Sequence, residues 1–250
     1  MSAPTPASSA GSTPAALAEQ ILSELQAQAN ADNVAGMARY GISAEGTIGV
    51  SIPVLRDIAK RVRPMRKTDP TYLHELAAAL WASGLHEARI LAGFVDVSTL
   101  VTREQMEAWT SDFDSWDTCD QVTDLFAATP FARELAIEWA ARPETFVKRS
   151  GFVIICALAH KGSKVPDADL LAFLPVIERE STDDRNFVKK AVNWALRQIG
   201  KRSAPLNVAA IDTAERILER HPDSPAARWI ARDALRELRS DAVQKRLHPA

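Results

Sequence analysis

Cysteine is nearly absent from this chain of 250 residues, which has only Cys119 and Cys156. Both sit in apolar periodic segments with no CxxC or Cys/His neighbour, so neither a disulfide framework nor a zinc site is indicated. A reducing, cytoplasmic setting is expected, with no metal and no cofactor. Long hydrophobic runs are missing as well. Arg, Asp, Glu or Lys interrupts every apolar stretch before the roughly 20 residues that a bilayer-crossing helix needs, which excludes a membrane-spanning role. The opening MSAPTPASSAGSTPAA lacks the basic n-region and the apolar h-region of a secretory signal. Residues 1–13 therefore read as a disordered tail ahead of a single folded domain over 14–250. There is no excess of positive charge either: the net charge is −2, which by itself argues against a nucleic-acid partner.

The average hides a segregation. Between Arg39 and Lys67 the cations Arg39, Arg56, Lys60, Arg61, Arg63, Arg66 and Lys67 face only Glu45 and Asp57. From Arg185 to Arg202 the cations meet no acid at all. Acids gather instead around 167–184 and 212–223, as a single basic face would require, although ordinary solvated helix faces explain the charge pattern equally well.

Period-two alternation rich in Val, Ile and Thr is missing, and apolar residues recur instead at i, i+3, i+4 and i+7. The spacing predicts helices at about 14–29, 32–40, 52–63, 70–83, 86–97, 102–112, 115–127, 130–141, 143–160, 167–180, 184–200, 205–220 and 224–238. Pro53, Pro70, Pro130 and Pro143 fall where a helix starts, and Gly84, Gly162 and Gly200 fall just past predicted ends. Helices joined this closely must turn back on each other, which predicts an all-α, HEAT-like helical-repeat superhelix (an α-solenoid) of antiparallel helix pairs.

Three segments carry residues that this scheme does not absorb. In Asp114–Val122, Ser115 or Asp114 caps a helix and Asp117 suits its first turn, but Trp116 and Asp120, four apart, share a face and set an aromatic plane beside a carboxylate. A core tryptophan with a solvated or paired aspartate is the plainer alternative. In Phe146–Phe152, Lys148 and Arg149 are set into an apolar helix, where a guanidinium needs an anion: a phosphate, or a structural partner such as Asp120. In Asn186–Lys201, Lys190, Trp194, Arg197 and Lys201 form one stripe, suited to a phosphate backbone with a ring against sugar or base, or equally to a core tryptophan among snorkelling lysines.

Taken together, SWDTCD, FVKRSGF and FVKKAVNWALR, preceded by Met37–Tyr40 and the loop Gly49–Arg56, resemble the successive signatures of the AlkD-type DNA alkylation repair family, over about residues 35–202. The resemblance implies a HEAT-like superhelix whose concave basic surface holds duplex DNA, and excision of N3- and N7-alkylated purines without metal or cofactor. Asp120 matches the family's catalytic carboxylate, and Trp116 and Trp194 match its two lesion tryptophans. Tyr40 matches an aromatic on the same surface, and Arg149 a DNA-contacting arginine. Lys148, Lys190, Arg197 and Lys201 are expected to add phosphate contacts. Ser115 stands where the family often has a further tryptophan, which puts substrate range in question, and the segment after Pro205 extends past the matched motifs.

The expected function is thus a glycosylase acting as a monomer on alkylated duplex DNA. Two rivals use the same fold: a non-catalytic binder of damaged or branched DNA, and a protein-binding helical scaffold.

Overall fold

The structure, a computed structural model, describes residues 12–248. Most of the expected tail therefore lies outside the described residues. Its last residue, Thr13, is the N-cap of the first helix, with its hydroxyl oxygen accepting from the Ala16 amide at 3.2 Å.

The described residues form helices only, with no strand among them. The helices are α1 (Pro14–Ala27), α2 (Ala31–Ala38), α3 (Ile52–Val62), α4 (Met65–Thr68), α5 (Pro70–Ala82), α6 (His86–Val95), α7 (Arg103–Ser111), α8 (Trp116–Ala127), α9 (Ala132–Ala140), α10 (Thr145–Leu158), α11 (Asp167–Leu171), α12 (Leu174–Arg179), α13 (Asn186–Gly200), α14 (Ala204–Arg220), α15 (Pro225–Leu238) and α16 (Asp241–Leu247). Among the described residues no helix is long and apolar enough to cross a membrane.

Local chemistry sets the boundaries. Proline occupies the first turn of α1, α3, α5, α14 and α15, where its missing N–H costs nothing. Side chains of Asn30, Asp69, Thr102, Ser203, Ser224 and Ser240 accept from orphan amides at helix starts. The span 167–180, expected as one helix, is two. Pro175 sits in the first turn of α12 and neither donates to nor fits against the carbonyl a turn earlier, so the chain breaks between α11 and α12. The short α4 and α16 were not predicted by the periodicity.

The chain divides into two compact units, Met1–Leu100 and Val101–Ala250. In the first, α5 packs against α1, α4 and α6, and α3 against α6. Its loop over 43–51 is organised by one buried carboxylate. Glu87, 1% exposed, accepts from the amides of Ile48 (3.1 Å), Gly49 (2.6 Å) and Val50 (3.2 Å). Gly49 has φ +82°, and a Cβ there would lie 2.2 Å from the Asn30 carbonyl oxygen, so only glycine fits. Removing the carboxylate strands several buried amides at once. Glu87→Ala is therefore expected to cost at least ~2 kcal/mol, read as a lowered urea midpoint for the first unit; an unchanged midpoint would show that the loop holds without it.

In the second unit, α8, α10, α13 and α15 form a row in which each helix packs against the next, with α9 and α14 packed across it. The centre of that row is α10, buried from Val147 through Cys156. Gly151 lets α10 approach α9 closely, since a Cβ would lie 2.6 Å from the Ala140 amide nitrogen. Phe126 and Trp139, both 0% exposed, meet edge to face at 6.0 Å in the core.

Candidate active site

The row of helices in the second unit brings three separated sequence segments to one cleft. It has a volume of about 500 Å³, and Trp116, Asp120, Asp124, His160, Trp194 and Gln198 are among the residues that line it. On α8, Trp116, Asp120 and Asp124 are four apart and so stack on one face. On α13, Trp194 and Gln198 do the same. Both tryptophans are half-buried, with part of each ring left open.

Asp120 is held from behind by Arg149. Nε of Arg149 donates to Oδ1 and Nη2 to Oδ2, both at 2.8 Å, while Nη1 donates to the Phe187 carbonyl at 2.6 Å. The side chains are 14% and 7% exposed, so the pair is largely out of water. The guanidinium thus takes the structural partner weighed in the sequence, and its fork fixes the plane of the carboxylate. Burial pushes the Asp120 carboxyl up from its ordinary value, and the charge of Asp117 adds to this. The hydrogen bonds and charge of Arg149 pull it partway back. Arg149 itself is pushed up: burial disfavours its charge, but the hydrogen bonds to Asp120 and the charge of that carboxylate together outweigh the cost. The two-point contact at 2.8 Å is the geometry of a carboxylate–guanidinium pair.

Besides the two tryptophans, the lining around the carboxylate combines apolar Val153 and Ala157 with the side chains of Gln121, Asp124, His160 and Gln198. Among the described residues no lysine or arginine lines the cleft. Cys156 lines it with a thiol that burial, and then Asp120, push well above the ordinary value. Cys119, on α8 and 3.1 Å from the Ser150 hydroxyl of α10, is pushed up to about 12 by burial. Both thiols stay protonated near neutrality and offer no nucleophilic thiolate. Ser115 is fully buried, its hydroxyl donating to the Thr118 hydroxyl at 3.0 Å. It makes no side-chain cap to α8, contrary to one reading of the sequence.

The remaining expected residues lie elsewhere. Lys148 points to Glu180 (2.8 Å) and Asp183 (3.3 Å) and is 10% exposed. Burial would push Asp183 up, but Arg185 and Lys148 hold it below its ordinary value. Arg197 pairs with Glu237 and lies 3.4 Å from Asp233, both on α15. Lys201 reaches Glu237 at 3.0 Å. Against the effect of burial, Arg197 and Lys201 keep Glu237 below its ordinary value. The stripe on α13 therefore divides: Trp194 faces the cleft, Arg197 and Lys201 clasp α15, and Lys190 is exposed. Tyr40, 73% exposed, belongs to the first unit, just past α2. In that unit Arg56 and Lys60 of α3 and Arg63 just past its end line a depression of about 250 Å³ with Phe94, and the Arg56 guanidinium lies 5.8 Å from the Phe94 ring centre.

Asp124 and His160 join the cleft without having been singled out in the sequence. For Asp124 a signal existed, since it continues the Trp116/Asp120 spacing by one more turn. His160 follows the end of α10 and no spacing rule marked it.

Comparison with known proteins gives three findings. The chain is similar to a solved structure described as "a new family of proteins related to the HEAT-like repeat DNA glycosylases with affinity for branched DNA structures". That likeness has 19% identity over 79% of this chain and 81% of that one, with a TM-score of 0.68, and it shows a HEAT-like repeat fold. No curated protein matches the sequence. The family described as "DNA alkylation repair enzyme" matches residues 21–238. The cleft with Trp116, Asp120 and Trp194 lies wholly inside that span, and the chain belongs to the DNA alkylation repair enzyme family.

Proposed function

We propose that this protein is a DNA glycosylase that hydrolyses the N-glycosidic bond of cationic N3- and N7-alkylpurines in duplex DNA. The observation that carries the reading is the meeting of Trp116, Asp120 and Trp194 in one cleft whose charged lining is acidic. Such a cleft repels phosphate and favours a positively charged base and the sugar cation that forms as the bond breaks.

Alkylation at N3 or N7 gives the purine a positive charge, so it departs with the C1′–N bonding pair without a strong general acid. Asp120, ionised and oriented by Arg149, stabilises the oxocarbenium-like sugar and directs a water to C1′. The water's oxygen bonds to C1′ and its proton passes to the carboxylate. The Trp116 and Trp194 rings exclude bulk water and attract the cationic lesion through their faces. In this scheme Arg149 is a positioning residue, and Lys148, Arg197 and Lys201 hold the helices in register. Phosphate contacts fall to cations outside the cleft, Lys190 of α13 among them.

One observation favours a second reading, that of a non-catalytic binder of damaged or branched DNA. The bidentate guanidinium neutralises much of the Asp120 charge, and the structural relative is described by its affinity for branched DNA. Release of free N7-methylguanine and N3-methyladenine from methylated duplex DNA separates the two. Release above the spontaneous rate supports the glycosylase; salt-sensitive binding with no release leaves the binder.

A further inference from the structure

The row that carries the cleft ends in α15, and one face of that helix is unlike the cleft in charge. Arg228, Arg232 and Arg236 are four residues apart and stack along one face at about 6 Å per step. With Pro225, Trp229 and Asp233 they line an open depression of about 420 Å³. The arginines keep donors to spare. Arg228 gives one N–H to the Pro222 carbonyl at 2.9 Å, and Arg236 pairs with Asp233. Arg232 is exposed and enters no ion pair among the described residues. Of the acids on α15, Asp233 is shared between Arg236 and Arg197, and Glu237 is taken by Arg197 and Lys201 of α13.

Among the arginines stands Trp229, 41% exposed, whereas Trp81, Trp109 and Trp139 are buried. The Lys189 ammonium lies 5.3 Å from its ring centre, adding a further cation to the same patch. Packing does not account for an indole left open to water beside three guanidinium groups. A partner with anionic groups on either side of a flat ring would use both features.

We propose that this face of α15 binds a single DNA strand, with Trp229 stacking an unpaired base and Arg228, Arg232 and Arg236 taking the adjoining phosphates. A closed duplex supplies phosphates but no open base face, and an acidic peptide supplies charge but no ring. The inference rests on the DNA-binding part of the reading above and not on its excision chemistry.

The test is fluorescence anisotropy with a labelled oligothymidine of ~20 nucleotides, and with a duplex of the same length, across a salt series. The full chain is compared with Arg228→Ala/Arg232→Ala/Arg236→Ala and with Trp229→Ala. The triple variant is expected to bind the oligothymidine at least ~10-fold more weakly, with a log–log salt slope reduced by about 2. Trp229→Ala is expected to lose about 5-fold or more with its slope unchanged. Equal affinity and slope for wild type and triple variant would overturn the proposal, as would a wild type that binds the duplex but not the oligothymidine. Either result alongside intact base release would remove the strand site alone. Loss of all DNA binding by the wild type would remove both readings.

Discussion

Arg149→Met is expected to lower the stability of the second unit by about 3–5 kcal/mol, the cost of leaving a buried carboxylate without its partner. Methionine preserves much of the aliphatic stem, so the loss reports on the charge and on the hydrogen bonds to Asp120 and the Phe187 carbonyl. Acid should partly relieve that cost. The folded Asp120 carboxyl already lies above its ordinary value through burial. Without Arg149 it rises further, so across the interval between the unfolded and folded values the native state binds the extra proton. Stability there falls as pH rises and recovers as pH falls. The interval is wider for the variant than for the wild type, and urea midpoints collected over a pH series read the difference. The same change displaces the acid limb of base release to higher pH, because the ionised carboxylate is the working form. A purely structural Arg149 would lower the urea midpoints and leave the limb where it was.

Replacing both cleft tryptophans is expected to change selectivity as well as rate. Trp116→Ala and Trp194→Ala should each reduce release of N7-methylguanine by about 10-fold, the scale of one desolvated cation–π contact. Because both rings are half-buried, each substitution should cost less stability than Trp139→Ala, which empties a site 0% exposed. The loss should be smaller for a neutral purine lesion, since only a cationic base gains from the ring faces. Single-turnover release from two duplexes that differ only in the lesion gives that ratio. Equal losses for charged and neutral bases would mean that the tryptophans act by shape and water exclusion alone.

The helices were legible because burying one face imposes a 3.6-residue rhythm that survives in the letters. The rhythm failed at Pro175, where a missing N–H interrupts a helix that the apolar spacing would have continued. It also failed at α4 and α16, which are too short to show a period. At the site, Trp116 and Asp120 were legible as neighbours because helix geometry fixes residues four apart. What a side chain meets across 29 or more positions is not written locally. Thus Arg149, for which the sequence left phosphate and Asp120 both open, turns to Asp120, and Lys148 turns to Glu180 and Asp183. For Arg197 and Lys201 a trace was present: Asp233 and Glu237 repeat their spacing of four on the following row helix, as two facing stripes of opposite charge would. The acidic average of the chain has the same origin, since many of its cations are matched by carboxylates inside the fold, while those of α3 and α15 line open depressions.

The most direct measurement is single-turnover release of N7-methylguanine and N3-methyladenine from one methylated duplex by the wild type and by Asp120→Asn, at equal protein and with duplex affinity measured in parallel. Asparagine keeps the shape of Asp120 but leaves Arg149 without a counter-charge, so the assay is run at a temperature where circular dichroism shows the variant folded. The account predicts release by the wild type and a loss of at least ~100-fold in the variant, with duplex affinity retained. Comparable release by both proteins would contradict the assignment of Asp120, and no release by either, with binding intact, would contradict the glycosylase itself.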